Sequence, residues 1–116
     1  MRISIFGMGY VGAVSAACLA DSGHLVIGVD VSQLKVDLIN RGRSPVVEPQ
    51  LEEILKRQTV SGNLVAITSV RDAVMRSDLS MICVGTPSKK NGDLDLHYVE
   101  AVSRQIGAAL ADLQRY

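Results

Sequence analysis

Six residues, Gly7-Met8-Gly9-Tyr10-Val11-Gly12, constrain what this chain can fold into more than any other segment. A G-x-G-x-x-G run is a weak pattern on its own, because glycine is common. Its context here is specific. It follows Ile3-Ser4-Ile5-Phe6, a short β-branched run that reads as a strand, and it opens a stretch from Tyr10 to Ser22 in which Val11, Val14, Ala17 and Cys18 recur at helical spacing. Each glycine has a physical role. Gly7 allows a tight turn out of the strand, Gly9 has no side chain to hold a phosphate off the backbone, and Gly12 lets the helix pack close to the sheet. The first-turn N–H groups, those of Tyr10 and Val11 among them, then face an anion along the helix dipole.

Gly23 ends that helix, and Leu25-Val26-Ile27-Gly28-Val29 forms a second buried strand that stops at Asp30, eighteen residues after Gly12. A carboxylate at this place accepts hydrogen bonds from the ribose hydroxyls of NAD and repels the additional phosphate of NADP. The next residues, Val31, Ser32 and Gln33, supply no arginine to bind such a phosphate. The plainer alternative is that Asp30 only begins the turn before Ser32, which caps the next helix. With the glycine loop in place, the spacing selects a dinucleotide-binding βαβ unit that takes NAD(H).

Further along, Leu34, Leu38 and Ile39 are expected on the inner face of a second helix that Gly42 stops. Ser44-Pro45 and Glu48-Pro49 punctuate a loop over residues 43 to 50. Leu51, Ile54 and Leu55 mark a third helix ending before Gly62, and Leu64-Val65-Ala66-Ile67 reads as strand three. A short helix over Val70 to Arg76 precedes strand four, Leu79 to Val84. A loop from Gly85 to Asp93 then leads to Asp95, a candidate cap for a last helix from about Leu96. Strands alternating with helices give an α/β, Rossmann-type doubly wound parallel sheet of about four strands in the order 3-2-1-4. Residues 1–116 form one domain, which stops before the fifth strand expected of such a fold.

Composition narrows the partners. Twelve basic residues balance twelve acidic ones, so there is no basic footprint for nucleic acid or an anionic membrane surface. No run approaches the ~18 uncharged apolar residues of a membrane span. The apolar N-terminus superficially resembles a secretory signal, but Gly7, Gly9 and Gly12 interrupt it and a second strand follows in phase. The two cysteines, Cys18 and Cys83, sit in apolar runs without metal-type partners, and both are expected to be buried, reduced, structural thiols. A reducing, cytoplasmic setting follows, with no metal site.

Four stretches together resemble one family. Ile5-Phe6-Gly7-Met8-Gly9-Tyr10-Val11-Gly12, Gly28-Val29-Asp30-Val31, Ser44-Pro45-Val46-Val47-Glu48-Pro49-Gln50-Leu51 and Cys83-Val84-Gly85-Thr86-Pro87 are similar, in order, to the N-terminal domain of the UDP-glucose/GDP-mannose dehydrogenases. Gly85-Thr86-Pro87-Ser88-Lys89-Lys90-Asn91-Gly92-Asp93-Leu94-Asp95-Leu96 resembles the GDP-mannose 6-dehydrogenase branch, the enzymes of alginate precursor synthesis. The resemblance implies two successive NAD-dependent oxidations that take the C6 alcohol of a nucleotide sugar, GDP-mannose, to a carboxylate. It further implies that Tyr10 and Val11 hold the cofactor pyrophosphate, that Asp30 and Lys35 hold the adenosine ribose, and that Thr86 lines the cleft at the end of strand four. Glu48 has a weaker claim to face the active region, because a carboxylate in a Pro-bounded loop is more often structural. Gln50 departs from the glycine usual after Glu-Pro.

Family members carry a linking helix and a C-terminal nucleotide-sugar domain, with the catalytic cysteine in the part this chain lacks. No catalytic residue is therefore expected here, and the sugar is a partner of the intact enzyme only. As it stands, the chain is expected to be a cofactor-binding portion without turnover, or else a stand-alone NAD(H)-binding or interaction module. A hydroxyacid or 6-phosphogluconate type of dehydrogenase is disfavoured by the Glu48-Pro49 loop and the Gly92-Asp93-Leu94-Asp95-Leu96 segment. With strand four left as an apolar edge, self-association is expected.

Overall fold

Apolar runs become strands and the stretches between them become helices, as the sequence pattern requires. A computed structural model describes residues 1–84 and 96–113. Chain order is β1 (Arg2–Phe6), α1 (Tyr10–Asp21), β2 (Leu25–Val29), α2 (Gln33–Asn40), α3 (Leu51–Ser61), β3 (Leu64–Ile67), α4 (Val70–Met75), β4 (Leu79–Ile82) and α5 (His97–Ala111). The four strands are all parallel, in the order β3-β2-β1-β4. Both the doubly wound class and the strand order agree with the reading of the sequence. The expected loop from Gly85 to Asp93 and the Asp95 cap lie outside the described residues.

Two cores sandwich the sheet. On one face Ile3, Ile5, Val26, Leu64 and Ala66 pack with α1, α2 and α3; on the other Phe6, Ile27 and Val29 pack with α4 and α5. Burial on both faces explains why these strands are continuously apolar rather than alternating. One polar group is sealed in with them. Ser4 is fully buried, its hydroxyl 2.9 Å from those of both Ser80 on β4 and Ser77. The Ser77 hydroxyl also lies 2.7 Å from the Ala73 carbonyl oxygen.

Helix phases depart from the expectation. Helix α1 buries Gly12, Ala13, Ala16, Ala17 and Ala20, whereas Val11 is exposed and Val14 is half-buried. Cys18 is exposed rather than buried. The inward face holds the smallest side chains because they allow the closest approach of helix to sheet, and the strands supply the bulk. In α2 the same correction applies: Val36 and Ile39 are buried, Leu38 is half-buried and Leu34 is exposed. Its phase is set by Asn40, whose side chain donates to the Ala66 carbonyl and accepts from the Ala66 N–H, both at 2.8 Å. That amide pairs with the backbone of Ala66 on the outer side of β3. Helix α3 buries Leu51 and Leu55 as expected, with Ile54 partly buried against the same core.

Strand β4 ends at Ile82, earlier than the expected Val84. Cys83 still donates its N–H to the Phe6 carbonyl at 2.7 Å, and its side chain is half-buried instead of buried. Among the described residues β4 is the other edge of the sheet, with Leu79 and Ile82 exposed.

Candidate functional site

The glycine loop occupies the carboxyl end of β1, where parallel sheets place their ligands. Gly7 takes φ +104°, a left-handed backbone that suits only glycine, and a Cβ there would lie 2.7 Å from the Cys83 carbonyl oxygen. At Gly12 a Cβ would fall 1.7 Å from the Gly7 carbonyl oxygen, so the start of α1 touches the loop backbone. Gly9 differs from both: its Cβ direction is open, with nothing within 4 Å. Two of the three glycines therefore permit close packing, and the third faces free space.

That space is a cavity of about 510 Å³. Gly7, Gly9, Tyr10 and Val11 line one part of it, and Asp30, Val31 and Lys35 line another. Gly9 is the N-cap of α1 and offers no side chain to the helix end. The first intrahelical bond runs from the Ala13 N–H to the Gly9 carbonyl (2.9 Å), and among the described residues the preceding N–H groups of the turn are left for a ligand. An unpartnered helix terminus with its partial positive charge suits a phosphate.

Asp30 joins the two sides of the cavity. One carboxylate oxygen accepts from the Met8 N–H at 2.8 Å and the other from the Ser32 N–H at 2.9 Å. The turn before Ser32 and the contact with the glycine loop are thus both realised by one side chain. An ionised carboxylate has about four acceptor sites, so two N–H bonds leave capacity for ribose hydroxyls. Beneath the loop, Met8 is fully buried and fills the space above Gly28, where a Cβ would meet its sulfur at 2.8 Å. Ser32 caps α2 by accepting from the Lys35 N–H at 3.3 Å, which stations Lys35 at the cavity wall.

Tyr10 is half exposed, and its phenol donates to Glu48 at 3.2 Å. This hydrogen bond, more than the charge beside it, holds the Tyr10 phenol above its ordinary pKa. Cys83 lines the cavity, and burial pushes its thiol up. Thr86 lies outside the described residues. Thr68, Tyr98 and Val102 also line the cavity and were missed in the sequence. The only available signal was the i, i+4 spacing of Tyr98 and Val102, which marks a face without saying what it faces.

Among the described residues no group of three or more His, Cys, Asp or Glu could hold a metal, and no helix is long and apolar enough to cross a membrane.

The profile of the UDP-glucose/GDP-mannose dehydrogenase family, NAD binding domain, matches residues 1–114. The chain is 61% identical over 112 residues to GDP-mannose 6-dehydrogenase of Pseudomonas syringae pv. tomato, covering 97% of this chain and 26% of that protein. It is 41% identical over 111 residues to UDP-glucose 6-dehydrogenase of Rhizobium meliloti, covering 95% and 25%. Among solved structures, a ternary complex of GDP-mannose dehydrogenase from Pseudomonas aeruginosa superposes with a TM-score of 0.98 at 60% identity, over 99% of this chain and 26% of that one. The chain spans about a quarter of the length of the curated relatives it matches.

Proposed function

The chain belongs to the UDP-glucose/GDP-mannose dehydrogenase family, as its NAD-binding domain, and from that premise we propose that it is the cofactor-holding part of a nucleotide-sugar 6-dehydrogenase that converts GDP-mannose to GDP-mannuronate for alginate precursor synthesis. The observation that carries this reading is one cavity bounded by the N-terminus of α1 and by Asp30. The first-turn N–H groups of Tyr10 and Val11 hold the pyrophosphate, and Gly9 leaves room for it. Asp30 and Lys35 hold the adenosine ribose, and the family resemblance assigns Thr86 to the cofactor site as well. NAD supplies the hydride acceptor for each oxidation.

Among the described residues neither cysteine is set for chemistry on the sugar. Cys18 is on the solvent face of α1, and the Cys83 thiol is pushed up and so held protonated, unlike a nucleophilic thiolate. Residues 1–116 alone therefore catalyse no turnover, work in a reducing cytoplasmic setting, and self-associate through β4.

Calorimetric titration with NADH and NADPH tests the cofactor assignment. Tighter binding of NADH is expected, with the preference narrowed in Asp30→Asn; equal affinity of the unaltered chain for both contradicts the role of Asp30. Mixing the chain with GDP-mannose and NAD should yield no NADH, and turnover above background would remove the claim of inactivity.

A further inference from the structure

Glu48 belongs to a motif to which the cofactor reading assigns no role. It sits in the loop between α2 and α3, yet its carboxylate meets the phenol of Tyr10, the first residue of α1, across 38 positions of sequence. The loop is anchored close by. The Leu51 N–H donates to the Glu48 carbonyl at 3.1 Å, and Leu51 itself is almost fully buried in the core. Upstream, the Val46 N–H donates to the Ser44 hydroxyl at 3.1 Å, and Val46 packs against the same core. Glu48 is therefore presented from a fixed support, three residues before a core leucine.

The opposite end of α1 is tied in the same way. Its last residue, Asp21, accepts from Arg57 at 2.6 Å and from Gln58 at 3.0 Å, both near the end of α3. Helices α1 and α3 thus run in the same direction and are pinned to one another at both ends. The Asp21 tie is remote from the cavity, whereas the Glu48 tie holds a residue that lines it.

We propose that Glu48 is a positioning residue for the cofactor: through the Tyr10 phenol it fixes the first turn of α1, whose N–H groups receive the pyrophosphate. The inference rests on the cofactor reading above. The bond is made by an acceptor oxygen, and the loop supplies that oxygen at a set height. A neutral acceptor of the same length therefore serves nearly as well, and a missing side chain does not.

The test measures NADH affinity by calorimetry for the unaltered chain, Tyr10→Phe, Glu48→Ala, Glu48→Gln and the Tyr10→Phe/Glu48→Ala double variant. Tyr10→Phe and Glu48→Ala should each weaken binding by about two- to tenfold, the range of one hydrogen bond. The double variant should be no worse than either single one, and Glu48→Gln should stay near the unaltered chain. Multiplying single effects overturn the proposal. So does tighter binding by Glu48→Ala, the result expected if the carboxylate acted only as a negative charge beside phosphates.

A ligand-free measurement keeps the two readings apart. Spectrophotometric titration of the phenols, with Tyr10→Phe to assign the transition, should show the raised titration of Tyr10 returning toward its ordinary range in Glu48→Ala. An unchanged Tyr10 transition refutes the contact whether or not NADH binds. An altered transition in a chain that binds no NADH refutes the cofactor reading and the positioning role built on it, and leaves the Tyr10–Glu48 contact standing.

Discussion

The three glycines of the loop are not equivalent, and one pair of substitutions separates their roles. In Gly12→Ala the added carbon would sit 1.7 Å from the Gly7 carbonyl oxygen and 2.8 Å from its carbonyl carbon. Ordinary contact needs about 3.5 Å, and both partners are backbone, so neither swings aside. Overpacking of this kind costs about 3 kcal/mol or more. Alanine in a helix returns at most about 1 kcal/mol relative to glycine. The net loss is about 2 kcal/mol or more, which lowers Tm by about 10 °C for a domain of this size. Gly9→Ala behaves oppositely. Its backbone (φ −76°, ψ −159°) is extended, which any residue adopts, and the new methyl meets nothing within 4 Å. Stability should stay within about 0.5 kcal/mol. The methyl instead stands where the pyrophosphate must approach, and NADH affinity should fall about tenfold or more, equivalent to about 1.4 kcal/mol. Thermal unfolding and NADH calorimetry on both variants provide the readout. A Gly12→Ala variant that melts with the unaltered chain, or a Gly9→Ala variant that binds NADH normally, would refute the geometric reasoning.

Two further outcomes follow from the fold. Arg57, by its hydrogen bond first and its charge second, helps hold the Asp21 carboxyl below the usual carboxylate range. A carboxyl lowered in the folded state stabilises above its unfolded pKa of about 3.9 and loses that contribution as pH falls through the folded value. The pH dependence of urea midpoints should accordingly be shallower below about pH 4 in Asp21→Asn than in the unaltered chain; parallel curves would show that the pair carries no linkage. At the sheet edge, residues 1–116 should elute with an apparent mass that rises with concentration, and Ile82→Lys, which puts a charge on that edge, should suppress the rise. A monodisperse monomer at tens of micromolar rules the association out.

Much of this was legible in the sequence because glycines and strand residues are specified locally. The glycine spacing, the β-branched runs and Asp30 gave the sheet order and the end of the sheet where the cavity lies. Helix phase was legible only in part. Periodicity weights large apolar residues, which points Cys18 and Leu34 inward; the observed contact favours alanine and glycine, which carry little signal. Asp30 shows a different limit. Turn-former and ligand-binder looked like alternatives in one dimension, yet its two oxygens bind the Met8 and Ser32 amides and still face the cavity. Tyr10 and Glu48 meet only because the loop before α3 passes the start of α1, which no spacing rule reports.

The buried serines carry a consequence for how the strands find one another. Ile, Val and Leu are nearly interchangeable along a two-sided parallel sheet, so a slip of two residues between β1 and β4 keeps every side chain on its proper face and loses little apolar burial. Ser4 stands opposite Ser80 in the native pairing, and Phe6 opposite Ile82. After such a slip Ser4 would stand opposite Asp78 or Ile82. Against Ile82 its hydroxyl would lose the Ser80 partner in the sheet interior, a cost of about 1–3 kcal/mol for an unsatisfied buried group. Polar matching therefore acts as an alignment mark where hydrophobicity cannot discriminate. What it aligns is the height of the chain leaving β4, whose Cys83 carbonyl oxygen would lie 2.7 Å from a Cβ on Gly7. Three hydroxyls packed around Ser4, midway along β1, thereby proofread the floor on which the glycine loop rests.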